Sequence, residues 1–188
     1  KLVPIYKNLY SMFPSALQFI SREFLLVSDM FCNVHLLTFT SGRMLSIVGA
    51  YYLGEMVNHM RRGSLIQGGS EDLPKGIESV LLGTTKGCLV VVVSLPYETY
   101  EVLFQLQSIL GNMKVKSQIW QLSKFRSPQV KGKPIPWEGF LDGDFIEGFL
   151  SLSPQEQSTV CMEVSNNLGR TLTPQELQRL VLALSKVH

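Results

Sequence analysis

Charge, histidine and cysteine are all scarce in this sequence. Only 17% of the residues are charged while 45% are hydrophobic, which excludes a chain kept disordered by self-repulsion. Basic and acidic residues nearly balance at a net charge of +2, so bulk charge does not demand a nucleic-acid partner. The three cysteines, Cys32, Cys88 and Cys161, are widely spaced, odd in number and without metal-ligand spacing. They read as reduced core residues of an intracellular protein. The longest apolar run, Cys88 to Val93, is far too short to cross a bilayer, and the stretch from Lys1 lacks a signal-peptide pattern. No membrane partner is expected. At 188 residues the chain can bury about 70% of its unfolded surface, enough for one domain or two small ones.

Catalytic chemistry is equally thin. The histidines are His35, His59 and His188. Cys32 and His35 lie three apart on an expected strand, which sends them to opposite faces and out of hydrogen-bond reach. Asp142, Asp144 and Glu147 fail as a calcium loop, because the glycine position is Glu147 and the twelfth is Ser153. Gly83-Thr84-Thr85-Lys86-Gly87 lacks the spacing of a phosphate loop and reads as a hairpin turn. The expectation is a protein without catalytic residues, cofactor or metal.

Residues 1–95 read as β. Short apolar runs at Leu17 and Phe19, Phe24–Val27, Val34–Phe39 and Met44–Val48 are punctuated by turn residues. Runs at Tyr51–Met60 and Ser64–Gln67 follow, separated by Arg61-Arg62-Gly63. After a polar loop from Gly68 to Pro74, Ile77–Leu82 and Cys88–Ser94 are joined by the Gly83–Gly87 turn. Strands at this spacing suit a sandwich, a barrel or propeller blades equally well.

From Pro96 the period becomes helical. Tyr100, Leu103, Phe104, Leu106 and Leu110 make one face, with Gly111 as the expected stop. Asp142 is placed to cap a short helix, with Leu141 and Ile146 as a staple and Phe145, Ile146, Phe149 and Leu150 as its apolar face. Ser153-Pro154-Gln155-Glu156 and Thr173-Pro174-Gln175-Glu176 both read as capping boxes with proline in the first turn. Val160, Cys161, Val164 and Leu168 follow the first and stop at Gly169; Leu177, Leu180, Val181, Leu184 and Val187 follow the second. Residues 96–188 therefore read as a small helical domain, and the fold class as α+β.

Between Val102 and Trp137 there is no acidic residue, while Lys114, Lys116, Lys124, Arg126, Lys131 and Lys133 all lie there with Trp120 and Phe125 interleaved. Two readings remain open. The segment is a contact for nucleic acid or an acidic partner, or a solvated connector whose aromatics dock on the β part.

Four pieces carry a family resemblance. They are Gly139-Phe140-Leu141-Asp142-Gly143-Asp144-Phe145-Ile146-Glu147-Gly148-Phe149-Leu150; Tyr52-Leu53-Gly54-Glu55-Met56-Val57-Asn58 followed by Gly63-Ser64-Leu65; Leu82–Gly87; and the ending Ser185-Lys186-Val187-His188. In this order, from about Ser15 to the C-terminus, the chain resembles the C-terminal region of the cleavage and polyadenylation specificity factor A-subunit family. The resemblance implies a partial β-propeller, about two antiparallel blades over 1–95, followed by the helical domain. It also implies the C-terminal portion of a longer scaffold or a truncated paralogue, covered by the rest of that scaffold or by another subunit. One branch of the family implies an adaptor of cullin-4-type ubiquitin ligases, linked to DNA repair, that holds substrate receptors. Met56, Val57, Asn58 and Thr85 would then line the rim of a groove for a receptor helix. The other branch implies a nucleic-acid-binding scaffold in RNA 3′-end processing or splicing. Both place the protein in the nucleus, with the cytoplasm as a second location.

Overall fold

The computed structural model describes residues 3–8, 12–41, 43–63, 77–113, 126–130, 133–134 and 139–186. The run Ser64–Gln67, the 68–74 loop, Trp120, Phe125 and the ending Val187-His188 lie outside them. The chain divides into two compact units. One comprises Lys1–Ser64, Glu78–Val92 and Trp120–Phe140; the other comprises Leu65–Ile77, Val93–Ile119 and Leu141–His188.

The first unit is built from two sheets. Strands β2 (Pro14–Phe19), β3 (Phe24–Asp29), β4 (Asn33–Phe39) and β5 (Met44–Tyr52) form an antiparallel meander. The two-residue β1 (Lys7–Asn8) adds in parallel along β5. Strands β6 (Val57–Arg62), β7 (Ser79–Thr84) and β8 (Leu89–Val93) form the second sheet, in that order. Two-residue strands β9 (Gln129–Val130) and β10 (Lys133–Pro134) pair with each other.

The continuous apolar run of β3 has a physical cause: it is buried on both faces. Leu26 joins Ile20, Val34, Val57, Met60, Val80 and Leu82 in a core shared by the two sheets. Leu25 and Val27 point the other way and pack with Leu37. On that second face Leu17 stays 57% exposed and Phe19 48%.

Two irregularities correct the strand boundaries expected from sequence. Met44–Tyr52 is one strand, not two runs. Leu36 pairs with Gly49 but Leu37 with Ile47, so Val48 is the extra residue of a β-bulge. Gly139 meets the chain at this bulge. A Cβ there would lie 2.7 Å from the Val48 carbonyl oxygen and 2.9 Å from the Gly49 Cα, and its φ is +72°. Only glycine fits such an approach. Phe140 then enters the shared core, its ring 5.8 Å from that of Tyr51. The second correction is at residues 53–56, where Gly54 (φ +87°) turns the chain between β5 and β6. Tyr51–Met60 is therefore broken in its middle.

The second unit holds helix α1 (Tyr97–Asn112), α2 (Gly143–Glu147) continued by a 3-10 turn (Gly148–Ser151), α3 (Pro154–Leu168) and α4 (Pro174–Ser185). Its core gathers Leu103, Leu106, Ile146, Phe149, Val160, Val164, Leu177 and Val181. Helix α1 departs from expectation twice. It runs through Gly111 to Asn112, and Phe104 is 45% exposed while Val102 and Ile109 are buried in its place. Asp142 caps α2 as expected, accepting from the Phe145 amide, and its own amide donates to Gln107 Oε1 at 2.8 Å.

Both capping boxes form. Ser153 Oγ accepts from the Glu156 amide, and Glu156 Oε2 accepts from the Ser153 amide at 2.9 Å. Thr173 and Glu176 repeat this, with the return bond at 2.7 Å. Hydrogen bonds from Ser153 and Thr173 hold both glutamates below the ordinary carboxylate pKa. Gly169, at φ 64°, ends α3 in the left-handed conformation. Ser153→Ala and Thr173→Ala should each lower stability by about 1 kcal/mol. Chemical denaturation followed by helical circular dichroism checks this, and the double variant should lose close to the sum.

Candidate functional site

Three turns of the first unit are stitched in a row by hydrogen bonds. The turn between β3 and β4 meets the β5–β6 connection where the Leu53 amide donates to the Cys32 carbonyl at 2.9 Å. That connection meets the β7–β8 turn where the Thr85 amide donates to the Met56 carbonyl, also at 2.9 Å. Glu55 reinforces the second junction. Its Oε2 accepts from Thr84 Oγ1 at 2.6 Å, which holds the carboxyl below its ordinary pKa, and Cys88 Sγ lies 3.7 Å from Oε1. Thr84 Oγ1 in turn accepts from the Cys88 amide at 3.0 Å.

Met56 and Thr85, far apart in sequence, are thus backbone partners. Val57 is buried in the core shared by the two sheets. Asn58 is the extra residue of a bulge in β6: Val57 pairs with Thr84 and His59 with Gly83. The bulge explains why Val57 and Met60, three apart, both point inward while Asn58 and His59 face solvent. Thr85, Lys86, Gly87, Cys88 and Leu89 are all exposed. Cys88 is therefore a surface thiol rather than a core residue, because the β7–β8 turn carries it out of the sheet. Cys161 is buried as expected, and Cys32 is half-buried.

The β3–β4 turn holds what sequence reading passes over. Asp29, only 4% exposed, accepts from the Phe31 and Asn33 amides through Oδ1 and from Asn33 Nδ2 through Oδ2, each at 2.9 Å. His35 Nε2 completes the set, donating to Oδ2 at 3.0 Å. Burial works to raise the Asp29 pKa, but the bonds from His35 and Asn33 outweigh it and hold the carboxyl below its ordinary value. His35 Nδ1 is buried and has no hydrogen-bond partner. Cys32 sits in the turn at φ 65° and not on the strand with His35. Burial, and then the Asp29 charge, push its thiol pKa up, the opposite of what a nucleophile needs. The hint in the sequence was an Asp at the end of an apolar run with an Asn four residues on, the pattern of a side chain closing its own turn. The rigid turn presents Met30 (61% exposed) and Phe31 (57%) to solvent, with Phe31 edge-on to Phe13 at 6.0 Å.

Among the basic residues singled out from sequence, Lys114, Lys116, Lys124 and Lys131 lie outside the described residues, and Lys133 lies on β10. Arg126 is committed to the fold. Its guanidinium sits 5.1 Å above the Tyr51 ring, its Nη1 donates to the Leu53 carbonyl at 3.3 Å, and its own carbonyl accepts from the Tyr52 amide at 3.0 Å. Among the described residues no group of three or more His, Cys, Asp or Glu could hold a metal ion, and no helix is long and apolar enough to cross a membrane.

Comparison with known proteins adds relatives to this geometry. The chain is 36% identical over 146 residues to DNA damage-binding protein 1 of Oryza sativa subsp. japonica. It is 35% identical to the protein of that name from Solanum lycopersicum and to DNA damage-binding protein 1a of Arabidopsis thaliana. Each match takes in 77% of this chain and 13% of the relative, so the chain spans a small fraction of the length of the curated relatives it matches. The pattern described as the CPSF A subunit region matches residues 1–151. The chain belongs to the CPSF A subunit family.

Proposed function

We propose that this chain is a non-catalytic scaffold segment that holds other proteins, as part of or alongside a cullin-4-type ubiquitin ligase in the nucleus. Family membership and the DNA damage-binding relatives support a scaffold of this kind. On this reading the two sheets are successive propeller blades over residues 1–95, which fits the single core that Leu26, Val34, Val57 and Leu82 make between them. Residues 96–188 form the helical domain that follows.

The observation that carries the reading is the junction of Met56 and Thr85. It sets an exposed turn beside the solvent-facing Asn58, over the buried Val57. A guest helix needs this combination. Its apolar side chains meet Met56, while its unsatisfied terminal backbone groups meet the Asn58 amide. The nearby Asp29 and Glu55 carboxylates and the His35 ring are engaged in closing turns, which supports a binding surface over an active site.

Asn58→Ala combined with Thr85→Arg should weaken binding of a receptor-derived helical peptide at least about 100-fold, through a lost hydrogen bond and a blocked surface. The melting temperature should stay within a few degrees, since both side chains are exposed. Isothermal titration calorimetry on the full chain reads the affinity. Unchanged affinity in the double variant would remove Met56, Asn58 and Thr85 from the binding surface.

A further inference from the structure

Gly83 stands where the fold has no need of glycine. It lies in β7, the middle strand of the second sheet, paired with His59 of β6. A glycine there gives up cross-strand packing and costs more backbone entropy on folding, so it weakens the strand. Neither of the usual reasons for that cost applies. Its φ lies outside the left-handed region. A Cβ at this position would meet Asn58 Oδ1 at 3.9 Å, an ordinary contact, and nothing nearer among the described residues. What the missing side chain leaves is a notch. Alternation along β7 puts position 83 on the same face as the half-buried Leu81, while Leu82 and Thr84 point into the protein. The bulge in β6 sets the Asn58 side chain beside the gap. Two residues on, the Thr85 amide is bonded to the Met56 carbonyl. The notch thus lies within the Met56, Asn58 and Thr85 surface, with one apolar and one polar wall. A strand glycine that backbone geometry does not require fits a place where another molecule comes close.

We propose that Gly83 is the specificity-determining residue of that surface: its notch takes one bulky apolar side chain, of leucine size, from the guest helix. This rests on the receptor reading above and names what the surface selects. The anchor packs on Leu81 and the bare Gly83 backbone, while Asn58 meets the guest's polar backbone. A guest with alanine at this position leaves the notch unfilled and forfeits that contact. A side chain on residue 83 fills the notch from within and turns the anchor away.

The test uses the full chain and a synthetic peptide copying a leucine-bearing helix of a cullin-4 substrate receptor. A companion set replaces each of its leucines in turn with alanine. Titration calorimetry should find one leucine whose replacement weakens binding to the wild type about 10-fold. Gly83→Leu should weaken the parent peptide at least about 10-fold, and the preference for leucine at that one peptide position should disappear. Its melting temperature should hold or rise, because the backbone accepts a side chain here and the unfolded chain loses freedom. Affinity and stability then move in opposite directions, which a glycine kept only for folding would not produce. Should leucine prove too large for the sheet, Gly83→Ala decides, with an expected loss of about 3-fold in affinity and no loss of melting temperature. If Asn58→Ala with Thr85→Arg weakens binding while the Gly83 variants bind normally, the notch proposal falls and the receptor surface stands. If neither change weakens binding, or the wild type shows no saturable binding, both fall. A leucine preference that survives unchanged in Gly83→Leu also overturns the proposal.

Discussion

Phe149→Ala should cost about 3–5 kcal/mol, the largest loss from any single truncation in the helical unit. Phe149 is completely buried, the largest side chain among the described residues to be so. It stands where the 3-10 turn, α1, α3 and α4 share one core. Its backbone is also committed, since its carbonyl accepts from Gln157 Nε2 at 3.1 Å, and Gln157 Oε1 accepts from Gln178 Nε2 at 2.7 Å. Removing the ring leaves a void lined by residues on separate helices, which cannot all move inward together. Domains of this size have about 5–15 kcal/mol to lose. Thermal unfolding followed at the helical band should therefore shift down by about 10 °C or more. Phe149→Leu, which keeps most of the volume, should lose much less. An unchanged midpoint for the alanine variant would mean the four elements do not share a core.

Asp29→Ala should be nearly as damaging, about 3–5 kcal/mol, for an electrostatic reason. It leaves the Phe31 and Asn33 amides, Asn33 Nδ2 and His35 Nε2 without their acceptor at a site closed to water. The wild-type protein should show the same interaction as a pH dependence. Because the folded Asp29 pKa lies below its ordinary 3.8, the unfolded chain takes up the proton first as pH falls. The stabilisation is therefore complete above the unfolded value and drains away as pH drops through the folded one. Urea denaturation between neutral and strongly acid pH should show this loss in the wild type and a shallower one in Asp29→Ala. Parallel acid limbs would show that the carboxylate is not held as its four bonds indicate.

The contrast between these two sites explains what the sequence made legible. The helical core could be read because its signals are local. Ser153 with Glu156, Thr173 with Glu176, and Gly169 each act within a turn of where they sit. The Asp29 network could not be read so directly, because it depends on Cys32 adopting a left-handed turn that brings His35 back over Asp29. Bulges hid other features. Period-two counting puts Asn58 on the opposite face from Val57 but cannot separate it from Met60, and one extra residue in β6 settles all three. Gly111 misled because a glycine inside a helix is costly but tolerated where both neighbours stay helical. Phe104 misled because α1 turns its aromatic side away from the core.

Strand β8 has a consequence for how the chain behaves in quantity. Among the described residues Leu89-Val90-Val91-Val92-Val93 is the edge of its sheet, next to β7. It has no charge and no proline to blunt it, and the free amides and carbonyls of a sheet edge are a template for foreign strands. Five β-branched or aliphatic residues in succession are also the composition that stacks into cross-β ribbons. Solubility at high concentration is therefore governed less by the net charge of the chain than by whatever keeps this one edge paired.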